Sequence, residues 1–183
     1  MVSKIIDTGY IPKEIHFTEI KNISDDVDRC TIVYNVIECL PGWFILPLEA
    51  NQYSQMAKDS IVYAAYLEST PVGFLELKLK RPHVAEVLAM GVICGYQHLG
   101  MGRQLMEHAF SYCEQNDIDV LEVKTADYSD PDVKYIATRK FYERMGFVAL
   151  DTIERYWADG TPVLIMVRKF DSKEKLNNQT LLA

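Results

Sequence analysis

Apolar and polar positions recur along this chain with three different periods, and each period marks a different kind of element. Over residues 102–116, Leu105, Met106, Ala109, Phe110 and Cys113 return every three or four positions, opposite Arg103, Gln104, Glu107, His108, Ser111 and Glu114. That spacing predicts an amphipathic helix. A helix over 24–40 starts from Ser24, Asp25 and Asp26. It turns Val27, Ile32, Val33, Val36, Ile37 and Leu40 inward and is stopped by Pro41-Gly42. The aromatic loop 42–47 leads to another helix near 48–59, and a further one spans about 133–145 and stops at Gly146. A period of two governs 72–79, where Leu75, Leu77 and Leu79 alternate with Glu76, Lys78 and Lys80, predicting a strand with one buried and one wet face. It pairs through a turn at 68–71 with a strand over 61–67. Residues 84–94, VAEVLAMGVIC, are almost continuously apolar and predict a strand buried on both faces. Strands over 119–125, 147–157 and 163–170 follow, the last two joined around Asp159-Gly160, with a polar tail after Phe170. The fold class is α/β (α+β), a mixed sheet with helices on its faces.

Composition narrows the functions open to such a fold. The 183 residues carry a formal charge of −7, and 49% are apolar. There is no basic footprint for nucleic acid; Lys78-Leu-Lys-Arg81 reads as the solvent side of a strand. The start MVSKIIDTGY has no apolar run of the signal-peptide kind, and no stretch suits a membrane span, so no membrane partner and a cytoplasmic location are expected. Cys30, Cys39, Cys94 and Cys113 have neither CxxC spacing nor a histidine cluster, so no metal is expected, and all four lie in apolar segments where a free thiol packs as a small hydrophobe.

Chemistry concentrates in residues 95–110, GYQHLGMGRQLMEHAF, where the buried strand gives way to the amphipathic helix. Glycines at such a junction can hold a phosphate on backbone N–H groups and the helix N-terminus. A P-loop fails because Met101-Gly102 follows Gly100 where lysine and Ser/Thr belong. A dinucleotide turn fails because Leu105 takes the place of its third glycine. The pattern Gln/Arg-x-x-Gly-x-Gly is met by Gln97-His98-Leu99-Gly100-Met101-Gly102. A bare helix entry that needs only glycine's backbone freedom remains the competing reading.

Three segments in order resolve the choice: Met90-Gly91-Val92 at the strand end, Gln97–Gly102, and Phe141-Tyr142-Glu-Arg-Met-Gly-Phe147. Over about residues 61–170 the chain resembles the GNAT superfamily of N-acetyltransferases, which uses acetyl-CoA as cosubstrate. The resemblance implies a mostly antiparallel central sheet of about six or seven strands, with helices on both faces. It implies one domain over 1–170, with 1–60 a helical acceptor-side part, 61–170 the acetyl-CoA-binding core and 171–183 a polar tail. It also implies that Met90, Gly91 and Val92 pair with the pantetheine arm as an added strand would. The backbone N–H groups from His98 through Leu99, Gly100, Met101 and Gly102 to Arg103 would hold the pyrophosphate, with Gln97 opening the turn. Tyr135, Thr138 and Phe141 fall at cofactor-arm positions; Tyr135 stands where many relatives have Asn, and Thr138 where Ala is common.

Acetyl transfer to an amine needs a base, because an alkyl amine titrates near about 10.4, and it profits from an acid that protonates the leaving thiolate. Tyr142 matches the family's tyrosine facing the thioester sulfur, against the plainer reading of an interior aromatic. Glu86 interrupts an apolar strand eleven residues before Gln97, which resembles the placement of a catalytic glutamate in the histone-acetylating branch. Burial would raise its pKa toward neutrality, whereas a carboxylate at a strand end paired with Arg81 or His83 is the alternative. Cys94 as a covalent nucleophile lacks a neighbouring base. His98 and His108 read as a turn residue and a solvated helix face, and Trp43 and Phe44 as core, with a wall of the acceptor pocket as the alternative. The acceptor is an amine on a small molecule or peptide, and homodimerisation is left open. A non-catalytic acyl-CoA-binding module is the alternative function.

Overall fold

Asp25 shows how the sequence sets the first helix: its Oδ1 accepts the N–H groups of Val27 and Asp28 at 2.9 and 3.0 Å. This fills the donors that a helix start leaves without partners. The structure is a computed structural model that describes residues 18–44, 48–157 and 160–171. Its elements are β1 (Thr18–Ile23), α1 (Asp26–Glu38), α2 (Leu48–Met56), β2 (Ile61–Leu67), β3 (Thr70–Arg81), β4 (Val84–Val92), α3 (Met101–Gln115), β5 (Val120–Ala126), α4 (Val133–Arg144), β6 (Val148–Ile153) and β7 (Val163–Lys169). The strands form one seven-stranded mixed sheet in the order β1-β2-β3-β4-β5-β7-β6. β4 and β5 run parallel over Val84–Val87 and Val120–Val123, while β1–β2, β5–β7 and β6–β7 are antiparallel. Among the described residues no helix is long and apolar enough to cross a membrane. The starting segment MVSKIIDTGY, the loop positions 45–47, Asp159 of the last turn and the tail from 172 lie outside the described residues.

The chain forms two compact units. The first takes the residues up to Lys58 with Val62–Phe74 and Met90–Leu105; the second takes Asp59–Ile61, Leu75–Ala89 and everything from Met106. In the first, α1 buries Ile32, Val33, Val36 and Ile37. Ser54 Oγ of α2 donates to the Cys30 carbonyl at 3.0 Å. Leu40, 2% exposed, fills the space over Gly91: a Cβ there would stand 2.5 Å from Leu40 Cδ1. In the second, Phe110 of α3 lies 6.1 Å from the Phe147 ring and 5.7 Å from that of Phe170. The Arg168 guanidinium sits 3.9 Å over Phe110 and donates to the Met145 carbonyl at the end of α4, where Gly146 takes φ +85°. That positive φ is the conformation in which helices stop on glycine.

Several sequence expectations need correction. β1 was not predicted: TEIKNI has apolar residues only at Ile20 and Ile23, and the strand is held by its ladder to β2. Residues 18–60 are therefore not purely helical. Glu76 is fully buried and Leu79 is 50% exposed, so the wet face expected along β3 starts only at Lys78. β3 lies between β2 and β4 in the sheet order, and its Val72–Leu77 stretch is buried on both faces, which the alternation of apolar and polar residues did not show. The strand expected over 84–94 ends at Val92, and Val84, Leu88, Met90, Gly91 and Val92 are only half-buried. Cys94 is exposed in a short 3-10 turn over Cys94–Tyr96 rather than packed as a hydrophobe. The strand expected over 147–157 is the six-residue edge strand β6, exposed throughout. A turn at Glu154–Arg155, with Arg155 at φ +54°, ends it. The hairpin turn between β2 and β3 is tighter than 68–71, closing at Glu68 and Ser69 with Glu68 at φ +55°.

Candidate active site

The glycine turn is built in the first unit by the way β4 ends. Ile93 N–H donates to the Val72 carbonyl at 2.9 Å, the Cys94–Tyr96 turn follows, and Gln97 reaches back so that Nε2 donates to the Val92 carbonyl at 2.9 Å. Gln97 thus fastens the turn to the strand end it follows. His98 takes φ +63° and Gly100 φ +86°. Alternation of hand along a turn points successive N–H groups into a common concavity. Gly100 accepts from Gln104 N–H at 3.0 Å, which starts α3, and Met101 is buried as its anchor. His98, Leu99 and Gly100 are exposed.

The helix starts differ in their chemistry. Asp25 fills the start of α1, and Asp132 accepts from Lys134 N–H at 2.9 Å at the start of α4. The first turn of α3 contains no acidic residue. Backbone N–H groups at a helix start and the positive end of its dipole suit an anion such as a pyrophosphate. Met90, Gly91 and Val92 lie just before the turn on the half-buried end of β4, in the same unit.

Glu86 and Tyr142 belong to the second unit. Glu86 lies directly across the parallel ladder from Glu122. Two lysines separate these like charges: Lys124 donates to Glu86 Oε1 and, at 2.6 Å, to Glu122 Oε1, while Lys80 reaches Glu86 Oε2 at 3.2 Å and Glu122 Oε1 at 3.4 Å. The buried carboxylate that stood out in the sequence is therefore ion-paired on both oxygens, and by Lys80 and Lys124 rather than by Arg81 or His83. Burial works against charge on Lys124 and Glu122. Their mutual hydrogen bonds prevail, helped by Glu86 and Lys80, and hold Lys124 above the usual lysine range and Glu122 below the usual carboxylate range.

Tyr142 is buried on α4 with its ring 5.5 Å from Phe141 and 5.7 Å from Phe147, edge-on to the latter. Thr138 uses its hydroxyl within the helix, donating to the Lys134 carbonyl at 3.0 Å, and Tyr135 lies under Lys134 Nζ at 4.8 Å. His108 is exposed, and Phe44 meets Tyr53 edge-on at 5.7 Å while staying half-buried with Trp43. No group of three or more His, Cys, Asp or Glu side chains among the described residues is placed to hold a metal ion.

Two residues escaped the sequence reading. Glu76 accepts from Ser60 Oγ at 2.8 Å, and its second oxygen is buried without a hydrogen-bond partner. Burial pushes its carboxyl up to about 7 against the pull of Ser60 and the Lys78 charge. Arg139 is 4% exposed and donates to three backbone carbonyls. Its place next to Thr138 in the motif was the one available signal.

The model of the acetyltransferase (GNAT) family matches residues 30–147. Among solved structures, one from Desulfovibrio desulfuricans described as a GNAT-family acetyltransferase is 20% identical, with a TM-score of 0.73 over 84% of this chain and 99% of that one. A ribosomal-protein alanine N-acetyltransferase from Escherichia coli is 17% identical, with a TM-score of 0.68 over 86% and 97%. A GNAT acetyltransferase from Elizabethkingia anophelis with acetyl-CoA bound is 14% identical, with a TM-score of 0.61 over 84% and 98%. No curated protein matches the chain.

Proposed function

This chain belongs to the acetyltransferase (GNAT) family, and we propose that it moves an acetyl group from acetyl-CoA directly to an amine on a small molecule or peptide. The observation that carries the reading is the Gln97–Gly102 turn, which takes positive φ at His98 and Gly100 and opens a helix whose first turn has no acidic side chain. Met90–Val92 would pair with the pantetheine arm, and the N–H groups of the turn would hold the pyrophosphate. Acetyl-CoA supplies the activated acetyl group as a thioester. A peptide acceptor is favoured by the likeness to an enzyme that acetylates a protein alanine. Acceptor choice is assigned to the chain before Ser60 and to the 126–133 loop.

In the proposed reaction the acceptor ammonium loses a proton to a base, and the neutral nitrogen attacks the thioester carbonyl. The tetrahedral intermediate, once its nitrogen has lost a second proton to solvent, expels the thiolate. Tyr142 donates its phenolic proton to sulfur as the C–S bond breaks and regains one from solvent. Glu86 is the proposed base; because both its oxygens hold ammonium groups, taking a proton requires one of those contacts to loosen. That same engagement is what favours the alternative, a module that binds acyl-CoA without turnover. Tyr142→Phe separates the two. A transferase loses rate roughly 100-fold or more while keeping its acetyl-CoA affinity; a wild type with no turnover to lose, on any amine supplied, sinks the catalytic reading.

A further inference from the structure

Arg139 is a buried cation that the chemistry above does not use. It lies on α4 one turn before Tyr142, and its hydrogen bonds go to backbone carbonyls rather than to a carboxylate. Nη1 donates to Ala126 and Asp127 at 2.9 and 2.8 Å, and Nη2 to Asp130 at 3.1 Å. The rigid fork of one guanidinium thus grips three oxygens of the segment that leaves β5. The same segment is held from other sides. The Tyr128 ring lies 5.4 Å from the guanidinium and its hydroxyl donates to Glu143 at 3.0 Å. Thr152 Oγ1 donates to Asp127 at 2.8 Å, and Asp127 N–H donates to the Pro162 carbonyl at 3.0 Å.

A buried charge is costly unless its hydrogen bonds are satisfied, and a fully satisfied one specifies a single arrangement of its partners. Here the partners are loop backbone, so what Arg139 specifies is the shape of Ala126–Asp130. This segment begins at the C-terminal end of β5 and opens the 126–133 loop, to which acceptor choice is assigned above. We infer that Arg139 is a positioning residue for the acceptor: it fixes the Ala126–Asp130 backbone in the one shape against which the amine docks, and has no part in holding acetyl-CoA. This rests on the transferase reading.

The test compares wild type with Arg139→Lys, which keeps charge and loses the fork, and Arg139→Met. Three quantities are read: acetyl-CoA affinity by calorimetry, amide hydrogen exchange over 126–130, and steady-state rates at saturating acetyl-CoA. The amine probes are a peptide with a free N-terminus, an N-terminally blocked lysine peptide, spermidine and kanamycin. Expected are unchanged acetyl-CoA affinity, exchange over 126–130 faster by roughly tenfold or more, and an acceptor KM raised roughly 10- to 100-fold with kcat less affected, Lys milder than Met. Wild-type exchange and KM in Arg139→Lys overturn the inference, and so does acetyl-CoA affinity that falls in step with KM. Failure of the wild type to bind acetyl-CoA is a different result and sinks the transferase reading instead. If the wild type binds acetyl-CoA but acetylates none of the four probes, the transferase reading fails and the acceptor role of Arg139 fails with it.

Discussion

Replacing Glu76 by Gln should invert the order of stability of the two proteins between acid and mildly basic pH. The carboxyl is fully buried, accepts one hydrogen bond from Ser60 and leaves its other oxygen unpartnered, and burial lifts it from 4.5 to about 7. The folded protein therefore holds this proton more tightly than the unfolded chain does. Between pH 4.5 and 7 the unfolded state releases a proton that the folded state keeps, so stability falls as pH rises through this window. Below it both states are protonated and nothing is lost; above it the full cost is present. The interval, 7 − 4.5, at about 1.4 kcal/mol per unit amounts to roughly 3–4 kcal/mol. Glutamine cannot ionise, so this loss disappears in the variant. Its amide instead places N–H groups where the unpartnered oxygen was, a penalty of about 1–3 kcal/mol that does not vary with pH. Wild type should be the more stable at pH 4.5 and the variant at pH 8. Urea unfolding of both proteins at pH 4.5, 6, 7 and 8 gives the difference directly, because every other titrating group contributes equally to the two. A difference that stays constant from pH 4.5 to 8 refutes the reasoning; so does one that moves the opposite way.

Two further perturbations test packing and charge. Gly91→Ala puts a Cβ 2.5 Å from Leu40 Cδ1 and should cost about 1–3 kcal/mol, and Leu40→Ala alone about 2–5 kcal/mol. The double variant should be clearly more stable than the sum of the two losses predicts, and strict additivity in thermal unfolding counts against the contact. Lys124→Met leaves Glu86 and Glu122 opposite one another with Lys80 alone between them, a loss of about 3–5 kcal/mol at neutral pH. Since Glu122 is held below its ordinary range, that stabilisation is present above the usual carboxylate pKa and lost as pH falls through the lowered one. The variant's deficit should accordingly shrink in acid, and a deficit independent of pH contradicts the ion-pair account.

What could be read from the sequence was what neighbours along the chain decide. The α3 face of Leu105, Met106, Ala109, Phe110 and Cys113 is buried as its spacing predicts, and Gly146 ends α4. The glycine turn was legible because its parts are contiguous and each demands a residue type. What could not be read depends on contacts far along the chain. Glu76 has the polar slot of an alternating strand, yet it is fully buried and bonded to Ser60, sixteen residues away. Glu86 is explained by Lys124, thirty-eight residues away. β1 is too polar to declare itself and exists through its backbone ladder to β2. Arg139 lies between Thr138 and Phe141, two positions the family resemblance singles out, yet its partners are carbonyls, which leave no trace in side-chain identity.

Calorimetric titration of acetyl-CoA into the protein, with Gly102→Asp alongside, tests the central claim most directly. An aspartate in the first turn of α3 favours the helix itself, since a negative charge there complements the dipole, but it opposes a pyrophosphate at the same N–H groups. The account predicts binding by the wild type and its loss in a variant that remains folded. A folded Gly102→Asp protein that binds acetyl-CoA as the wild type does would take the pyrophosphate off this turn. Absence of binding in the wild type would leave Gln97–Gly102 as a helix entry and nothing more.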